Sequence, residues 1–187
     1  MSPDQKKIID IAAIMRRRRH ALFGAHARNA WVPDEPRTTA DIDFLVPDAA
    51  SAKRAGEAIL AAIPGLTTRA FSFGMVQVLT KKGKKIADLV PTDEAITMAA
   101  LGTARPKKVA ALGSLRVPPR EVLVAMKLDS ASDARRDPIR AAQDEVDAMS
   151  MLRGGVDERA LEVALSMVPP RARKLYLKLR KSRLSHL

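Results

Sequence analysis

The spacing of apolar and polar residues divides the chain into an N-terminal part that mixes strands with helices and a C-terminal part that is helical. Apolar residues that recur every three or four positions indicate helices, and short apolar runs stopped by proline or glycine indicate strands. The helices predicted in the first part cover residues 4–18, 25–30, 50–62 and 93–101. The strands predicted there cover 20–24, 41–46 and 86–90, with 67–80 extended, a turn at 81–84, and a weak loop over 102–118 that holds one short strand at 115–117.

The second part carries four helical patterns, over residues 119–131, 137–153, 157–168 and 170–184. The second of these begins with the capping pair Asp137 and Pro138 and ends at the glycines 154 and 155. Its apolar residues step at helical spacing and are predicted to form its buried face: Ile139, Ala142, Val146, Met149 and Leu152. The whole pattern predicts an α/β (α+β) fold, in which residues 1–118 form a small mixed β-sheet flanked by helices and 119–187 form a helical region with a basic last helix.

The charge of the chain favours binding partners that carry negative charge. The formal net charge is +12, and residues 171–187 contain seven Lys or Arg and no acid. Such a balance favours nucleic acid as a partner. Aromatic residues make up only 3% of the chain, which argues against a stacking platform for single strands. The chain has no cysteine, so disulfides and thiolate chemistry are excluded.

No apolar run reaches the roughly 18 residues of a membrane span, and the N-terminal pattern is that of an amphipathic helix and not of a signal peptide. We therefore expect a cytoplasmic protein without a membrane partner.

Three aspartates interrupt apolar strands and are the strongest chemical signal in the chain. Asp41 and Asp43 lie two positions apart, so both carboxylates point to the same face of their strand. Asp88 interrupts the strand at 86–90 in the same way and needs a partner there. Because neighbouring carboxylates repel, a divalent cation such as Mg²⁺ or Mn²⁺ is expected to neutralise them. Three such ligands can hold two metals about 3.5–4 Å apart.

A glycine upstream of these aspartates is a candidate phosphate site. Gly24 and Ala25 lie where a short strand ends and a helix begins, so their backbone N–H groups can approach a phosphate at the helix N-terminus.

Together these residues resemble the signature of the nucleotidyltransferases of the DNA polymerase β-like superfamily. The string from Arg37 to Asp43 is similar to the Arg-x-Thr-x-Asp-Ile-Asp string of AbiEii-type toxin nucleotidyltransferases, and residues 119–128 resemble that family's helix with a late lysine. The resemblance covers roughly residues 5–155. It continues in the Arg/Asp-rich stretch from Arg135, where either Asp144 or Asp147 matches the family's acid.

The resemblance implies transfer of a nucleoside monophosphate from an NTP to a hydroxyl of RNA (such as tRNA) or of protein, within a toxin–antitoxin system that supplies a cognate protein partner. It assigns metal binding and catalysis to Asp41, Asp43 and Asp88. It assigns the nucleotide to Gly24, Ala25, Arg37, Thr39 and Lys127. Two departures weaken the nucleotide site: Ala25 replaces the Ser or Gly of many members, and the gap before Asp41 is long.

Other interpretations remain open for these residues. Asp41 and Asp43 could be solvent-facing residues of an edge strand, and Asp88 an ordinary residue at a strand end. Gly24 could be a plain turn glycine. Arg37 could be no more than a solvated loop residue, and Lys127 could simply extend its ammonium to solvent. A chain with weak or no catalysis could use the same fold as a module that binds nucleic acid or a partner protein. A small cationic acceptor such as an aminoglycoside would suit an acidic pocket, and this basic chain fits it less well.

Overall fold

A computed structural model describes residues 1–184, with the side chains of 182–184 not described. The chain forms two compact units, of which the first is Met1–Pro118 and the second begins at Pro119. The helices of the first unit are α1 (Pro3–Met15), α2 (Gly24–Trp31), α3 (Ala49–Ala62) and α4 (Ala95–Thr103). Its strands are β1 (Ala21–Phe23), β2 (Ile42–Val46), β3 (Leu66–Ala70), β4 (Val76–Thr80), β5 (Lys85–Pro91), β6 (Arg105–Val109) and β7 (Gly113–Val117).

The main sheet has five strands in the order β1-β2-β5-β4-β3. Only the central pair, β2 and β5, is parallel, and every other neighbouring pair is antiparallel. A parallel neighbour requires a crossover connection, and here α3, β3 and β4 lie between the two strands in the chain. This topology brings the start of β2 beside the middle of β5, with Asp43 opposite Asp88.

The core of the first unit lies along the two central strands. Ile42, Phe44, Ile86 and Leu89 are fully buried there. β2 has a buried apolar residue at four of its five positions, so Asp43 is the exception in an otherwise core strand. His20 is buried beside Phe44, and the two rings make an edge-to-face contact with 5.4 Å between their centroids.

The second unit is a bundle built around α5. Its helices are α5 (Arg120–Ser132), α6 (Pro138–Arg153), α7 (Glu158–Ser166) and α8 (Pro170–Leu184). α5 packs against each of the other three. Val124, Ala125 and Leu128 of α5 are fully buried, as is Met151 of α6.

The predicted α+β fold class with a mixed sheet is confirmed, and two segments differ from their predictions. The extended stretch at 67–80 is two strands, because Gly74 adopts a φ of +87° and closes a turn between them. The predicted loop at 102–118 is the β6–β7 hairpin, paired from Arg105 opposite Val117 to Val109 opposite Gly113. Its strand β6 carries a proline and two lysines, which hid the strand pattern.

The predicted buried face of α6 is wrong. Ile139 and Val146 are 81% and 58% exposed, whereas Asp144 and Asp147 are buried. The reason is a lysine on α5: the Nζ of Lys127 lies 2.6 Å from Asp144 Oδ1 and 2.8 Å from Asp147 Oδ2. A buried ammonium without partners is costly, so the acidic face of α6 turns inward to meet it.

The basic last helix is also more fully paired than its sequence predicts. Arg171 contacts Asp129 at 2.8 Å, Arg173 contacts Glu162 at 3.0 Å, and Arg180 lies 3.9 Å from Glu158. Three of the seven cations therefore have acidic partners within the same unit. The side chain of Arg183, and residues 185–187, lie outside the described residues. No helix within residues 1–184 is long and apolar enough to cross a membrane.

Candidate active site

The three aspartates singled out from the sequence lie together, where the start of β2 meets the middle of β5. Asp41 directly precedes β2, Asp43 is its second residue, and Asp88 is the fourth residue of β5. The side chains of Asp41, Asp43 and Asp88 are 23%, 18% and 14% exposed. Each carboxylate is thus largely withdrawn from solvent but open on one side.

A lysine joins these carboxylates. The ammonium of Lys85 lies 2.6 Å from Asp41 Oδ2, 2.8 Å from Asp88 Oδ2 and 4.0 Å from Asp43 Oδ1. Burial of Lys85 would lower its pKa, but the hydrogen bonds to Asp41 and Asp88 outweigh that effect and raise the pKa above its ordinary value. Lys85 is therefore charged at neutral pH. The sequence pattern did not assign it to the site.

Asp41 is held in its charged form. Burial would raise the pKa of its carboxyl, but hydrogen bonds from Lys85 and Thr39 together lower that pKa below its ordinary value. The Thr39 hydroxyl donates to Asp41 Oδ1 at 2.8 Å. Thr39, predicted to contact the nucleotide, therefore contacts a site carboxylate.

Three carboxylates lie around the ammonium of Lys85 in this cluster. One oxygen, Oδ1 of Asp88, is buried and has no hydrogen-bond partner. A buried acceptor without a partner is costly. Among the residues described, no group of three metal-ligating side chains already has the arrangement of a metal site, and Lys85 is the cation that lies between the carboxylates.

Gly24 brings a helix N-terminus against Asp43. It is the first residue of α2, follows β1 directly, and adopts a φ of +68°. A Cβ placed on Gly24 would lie 2.1 Å from Asp43 Oδ2, so no other residue fits without displacing that carboxylate. The residue before it, Phe23, gives the helix no side-chain cap. The positive end of α2 is thus directed toward the carboxylate cluster.

A second residue of α2, His26, also borders the site. Burial lowers the pKa of its imidazole, and the charge of Asp41 opposes that shift only in part. Its Nε2 is buried without a hydrogen-bond partner. His26 is accordingly a neutral ring next to Asp41, and nothing in its sequence position indicated this.

The loop that carries Arg37 is anchored to α2. The Arg37 backbone N–H donates to Asn29 Oδ1 at 2.9 Å, and its carbonyl accepts from Asn29 Nδ2 at 2.7 Å. Arg28, which is buried, donates to the backbone oxygen of Glu35 in the same loop. These contacts fix the approach of the chain to Asp41.

Lys127, the remaining predicted nucleotide ligand, belongs to the second unit. Its side chain is 15% exposed, and its ammonium contacts both Asp144 and Asp147. Burial would raise the pKa of Asp144, but the charge and hydrogen bond of Lys127, together with Ser130 and Arg136, outweigh burial and lower it. A contact between Lys127 and a nucleotide phosphate stays a prediction.

Comparison with known proteins bears on the fold of the chain. No protein-family model and no curated protein sequence matches the chain. Among solved structures, the Megavirus polyadenylate synthase matches at 10% identity and a TM-score of 0.59, over 82% of this chain and 32% of its own. The chain thus spans about a third of that enzyme's length.

Two other structures match over almost the whole length of both chains. An antigenic nucleotidyltransferase-like protein from Paracoccidioides brasiliensis matches at 16% identity and a TM-score of 0.58, over 98% of this chain and 90% of its own. The antibiotic-resistance factor ANT(2″)-Ia matches at 18% identity and a TM-score of 0.59, over 96% of each; it has also been solved with adenylyl-2″-tobramycin. These structures do not separate the AbiEii-type family from the rest of the superfamily, so that finer resemblance stays a prediction. The protein has the nucleotidyltransferase fold.

Proposed function

We propose that this protein is a metal-dependent nucleotidyltransferase that moves a nucleoside monophosphate from an NTP to a hydroxyl acceptor. The juxtaposition of Asp43 and Asp88 on parallel strands, with Asp41 beside them, carries the proposal. Within the cluster, a buried oxygen of Asp88, Oδ1, has no hydrogen-bond partner. A hard divalent cation with oxygen ligands fits that donor set.

Asp41 and Asp43 would hold two Mg²⁺ or Mn²⁺ ions, and Asp88 would hold one of them. Bound there, the ions would neutralise the phosphate oxygens and favour ionisation of the acceptor hydroxyl. Lys85 would have to leave the carboxylates for this to occur, and its free ammonium would then be available to a phosphate.

The remaining residues would position the reactants. The backbone N–H groups of Gly24 and Ala25, at the N-terminus of α2, would hold a phosphate of the NTP, and Arg37 and Thr39 would add contacts. The acceptor oxygen would attack the α-phosphorus, the bond from that phosphorus to the bridging oxygen would break, and pyrophosphate would leave. Asp88 would accept the hydroxyl proton. Such chemistry depends on positioning and charge more than on covalent participation.

RNA, such as tRNA, is the acceptor that the charge of the chain favours. A net charge of +12 attracts a polyanion. Protein is the alternative hydroxyl acceptor. The test is incubation of the protein with each α-³²P-labelled NTP, Mg²⁺ or Mn²⁺, and total bacterial RNA. We expect label in the RNA fraction.

Two double variants, a test and its matched control, each replace one pair of aspartates. Asp41→Asn with Asp43→Asn removes the proposed ligands, whereas Asp34→Asn with Asp93→Asn removes the same charge from two exposed positions. Transfer should be lost in the first variant and kept in the second. Transfer that survives the first variant would refute the assignment of the site. Absence of label in every fraction, together with absence of bound Mn²⁺, would favour a module that binds nucleic acid or a partner without catalysis.

An aminoglycoside is a second candidate acceptor. The match to ANT(2″)-Ia, which runs over 96% of both chains, favours it, while the positive charge of this chain opposes a cationic acceptor. Tobramycin in place of RNA in the same assay decides between them, since label would then move to the antibiotic.

The string from Arg37 to Asp43 further suggests a toxin–antitoxin role with a cognate protein partner. Its test is expression of the chain in bacteria beside its Asp43→Asn variant. Growth arrest by the wild type alone is the expected result, and equal growth of both strains would exclude toxicity through this site.

A further inference from the structure

A second concave site lies at the far end of β2 from Asp41. A cavity of about 260 Å³ opens between the residues that follow α1, the carboxyl end of β2 and the first turns of α3. Along the strand, Val46 is three residues beyond Asp43, or about 10 Å at the usual rise. A phosphate held by Gly24 beside Asp43 would thus not also occupy this cavity.

The floor of the cavity is apolar and belongs to the core. Met15, Val46 and Ala55 line it, and each is at most 1% exposed because it also belongs to the core. Sites for drug-sized ligands usually measure about 300–1,000 Å³. The smaller volume here suits a compact group such as a phosphate better than a large organic ligand.

Four arginines form the rim of the cavity: Arg17, Arg18, Arg19 and Arg54. Within the part of the chain that the structure describes, the lining includes no Asp or Glu. Asp48 lies outside the lining: its Oδ1 accepts the Ser51 N–H at 2.6 Å as the N-cap of α3, and its charge interacts with that of Arg54 alone among the four arginines. The rim therefore combines a formal charge of +4 with guanidinium groups that match phosphate oxygens in geometry.

Interaction with helix ends does not account for this cluster. Cations that follow α1 are stabilised by the negative end of that helix, which explains one or two of Arg17–Arg19. Arg54, however, lies in the second turn of α3, near the positive end of its helix, where the dipole gives a cation no stabilisation. Four like charges around one concavity repel one another unless an anion lies between them.

We propose that this arginine-rimmed cavity binds backbone phosphates of a nucleic-acid strand. Arginine contacts to phosphate give affinity without reading sequence. The ligand class follows from the four guanidinium groups, the compact volume and the net charge of +12. The proposal does not depend on catalysis at Asp41, Asp43 and Asp88.

The test is binding of a fluorescein-labelled single-stranded RNA oligonucleotide, followed by fluorescence anisotropy in EDTA without NTP at several salt concentrations. The variant is Arg17→Ala with Arg54→Ala. The matched control, Lys82→Ala with Lys108→Ala, removes the same charge from two exposed positions elsewhere on the first unit. Circular dichroism establishes that both variants are folded.

We expect the arginine variant to bind RNA about ten-fold or more weakly at low salt. The slope of log K against log salt should fall in magnitude by about 0.7 for each phosphate that the variant no longer binds. The lysine variant should keep the wild-type slope. Equal weakening in both variants would reduce the effect to net charge and overturn the proposal, as would wild-type binding by the arginine variant or no RNA binding by the wild type.

Competition with inorganic pyrophosphate distinguishes a cavity that binds a nucleic-acid strand from one that binds a free polyphosphate. If the cavity binds a strand, pyrophosphate at the same phosphate concentration should displace little of the RNA, because it replaces few of the contacts. Binding of pyrophosphate that depends on Arg17 and Arg54, with RNA binding unchanged in the variant, would reassign the cavity to a free polyphosphate.

Discussion

Gly24 is the residue where backbone conformation and the candidate chemistry meet. Gly24→Ala would add a Cβ at 2.1 Å from Asp43 Oδ2 and force alanine into a φ of +68°. Gly65→Ala is the matched control, since Gly65 has a φ of +82° and nothing within 4 Å of the added Cβ. We expect Gly65→Ala to lower the free energy of unfolding by about 1 kcal/mol.

Gly24→Ala should lower the free energy of unfolding by at least about 1 kcal/mol more than Gly65→Ala does, because the added Cβ also displaces the Asp43 side chain. Urea unfolding followed by circular dichroism measures both values. Equal losses in the two variants would mean that Asp43 moves aside freely, and the close approach of α2 to the carboxylate would then have no energetic weight.

The position of Lys85 predicts that it competes with a metal ion for the carboxylates. In the absence of metal its ammonium is the cation between Asp41 and Asp88, so Lys85→Met should lower the melting temperature in EDTA. The same change removes a competitor for the carboxylates, so Mn²⁺ should bind the variant more tightly than the wild type and raise its melting temperature by more. Thermal melts across an Mn²⁺ titration test this. Equal Mn²⁺ affinities would show that Lys85 and the metal do not compete.

At the residue level, the aspartates were predictable and Lys85 was not. A charged residue inside an apolar run is visible in the sequence, and so is the two-residue spacing of Asp41 and Asp43. Lys85 and Asp88 are three apart, and alternation along a regular strand puts such residues on opposite faces. An irregular register near the start of β5, opposite Val78 and Leu79, and the length of the lysine side chain bring them together.

The elements were predicted well where local signals mark their ends. Pro47 stops β2, the Asp137–Pro138 pair starts α6, and both boundaries follow from the sequence. The buried face of α6 did not follow, because it depends on Lys127 in another helix. Apolar periodicity assumes that the core is apolar, and here a buried ion pair takes precedence over Ile139 and Val146.

Two substitutions on α6 test that orientation. Ile139→Gln should change the free energy of unfolding by no more than about 0.5 kcal/mol, as surface substitutions do. Met151→Ala should cost about 2–5 kcal/mol, because Met151 is fully buried. Urea unfolding measured by the helical circular dichroism signal compares them. A large loss for Ile139→Gln with a small one for Met151→Ala would restore the face predicted from the sequence.

The buried pair between α5 and α6 also predicts a pH dependence. The pKa of Asp144 is lowered in the folded protein, so its contribution is present above its unfolded pKa, near 3.8. That contribution is lost as pH falls through the lower folded pKa. The free energy of unfolding of the wild type should therefore decline below about pH 4 more steeply than that of Asp144→Asn. Parallel declines in urea titrations at several pH values would contradict this.

The net positive charge of the whole molecule predicts that the KM for an RNA acceptor depends strongly on salt. If the protein contacts three phosphates of the RNA, the apparent KM for RNA should rise about 20-fold over a four-fold increase in salt. The KM for NTP should change much less, since a nucleotide releases few counterions. Steady-state transfer assays measure both constants. Equal changes in the two would indicate an acceptor that is not a polyanion.

The parallel pairing of β2 with β5 also has a consequence for synthesis of the chain on the ribosome. Asp43 and Asp88 are 88 − 43 = 45 residues apart, and they become neighbours only when β5 has left the exit tunnel and joined the sheet. A nascent chain that stops after β2 holds two carboxylates of the site but lacks both Asp88 and Lys85. A nascent chain therefore cannot assemble all three carboxylates before residue 88 has left the ribosome.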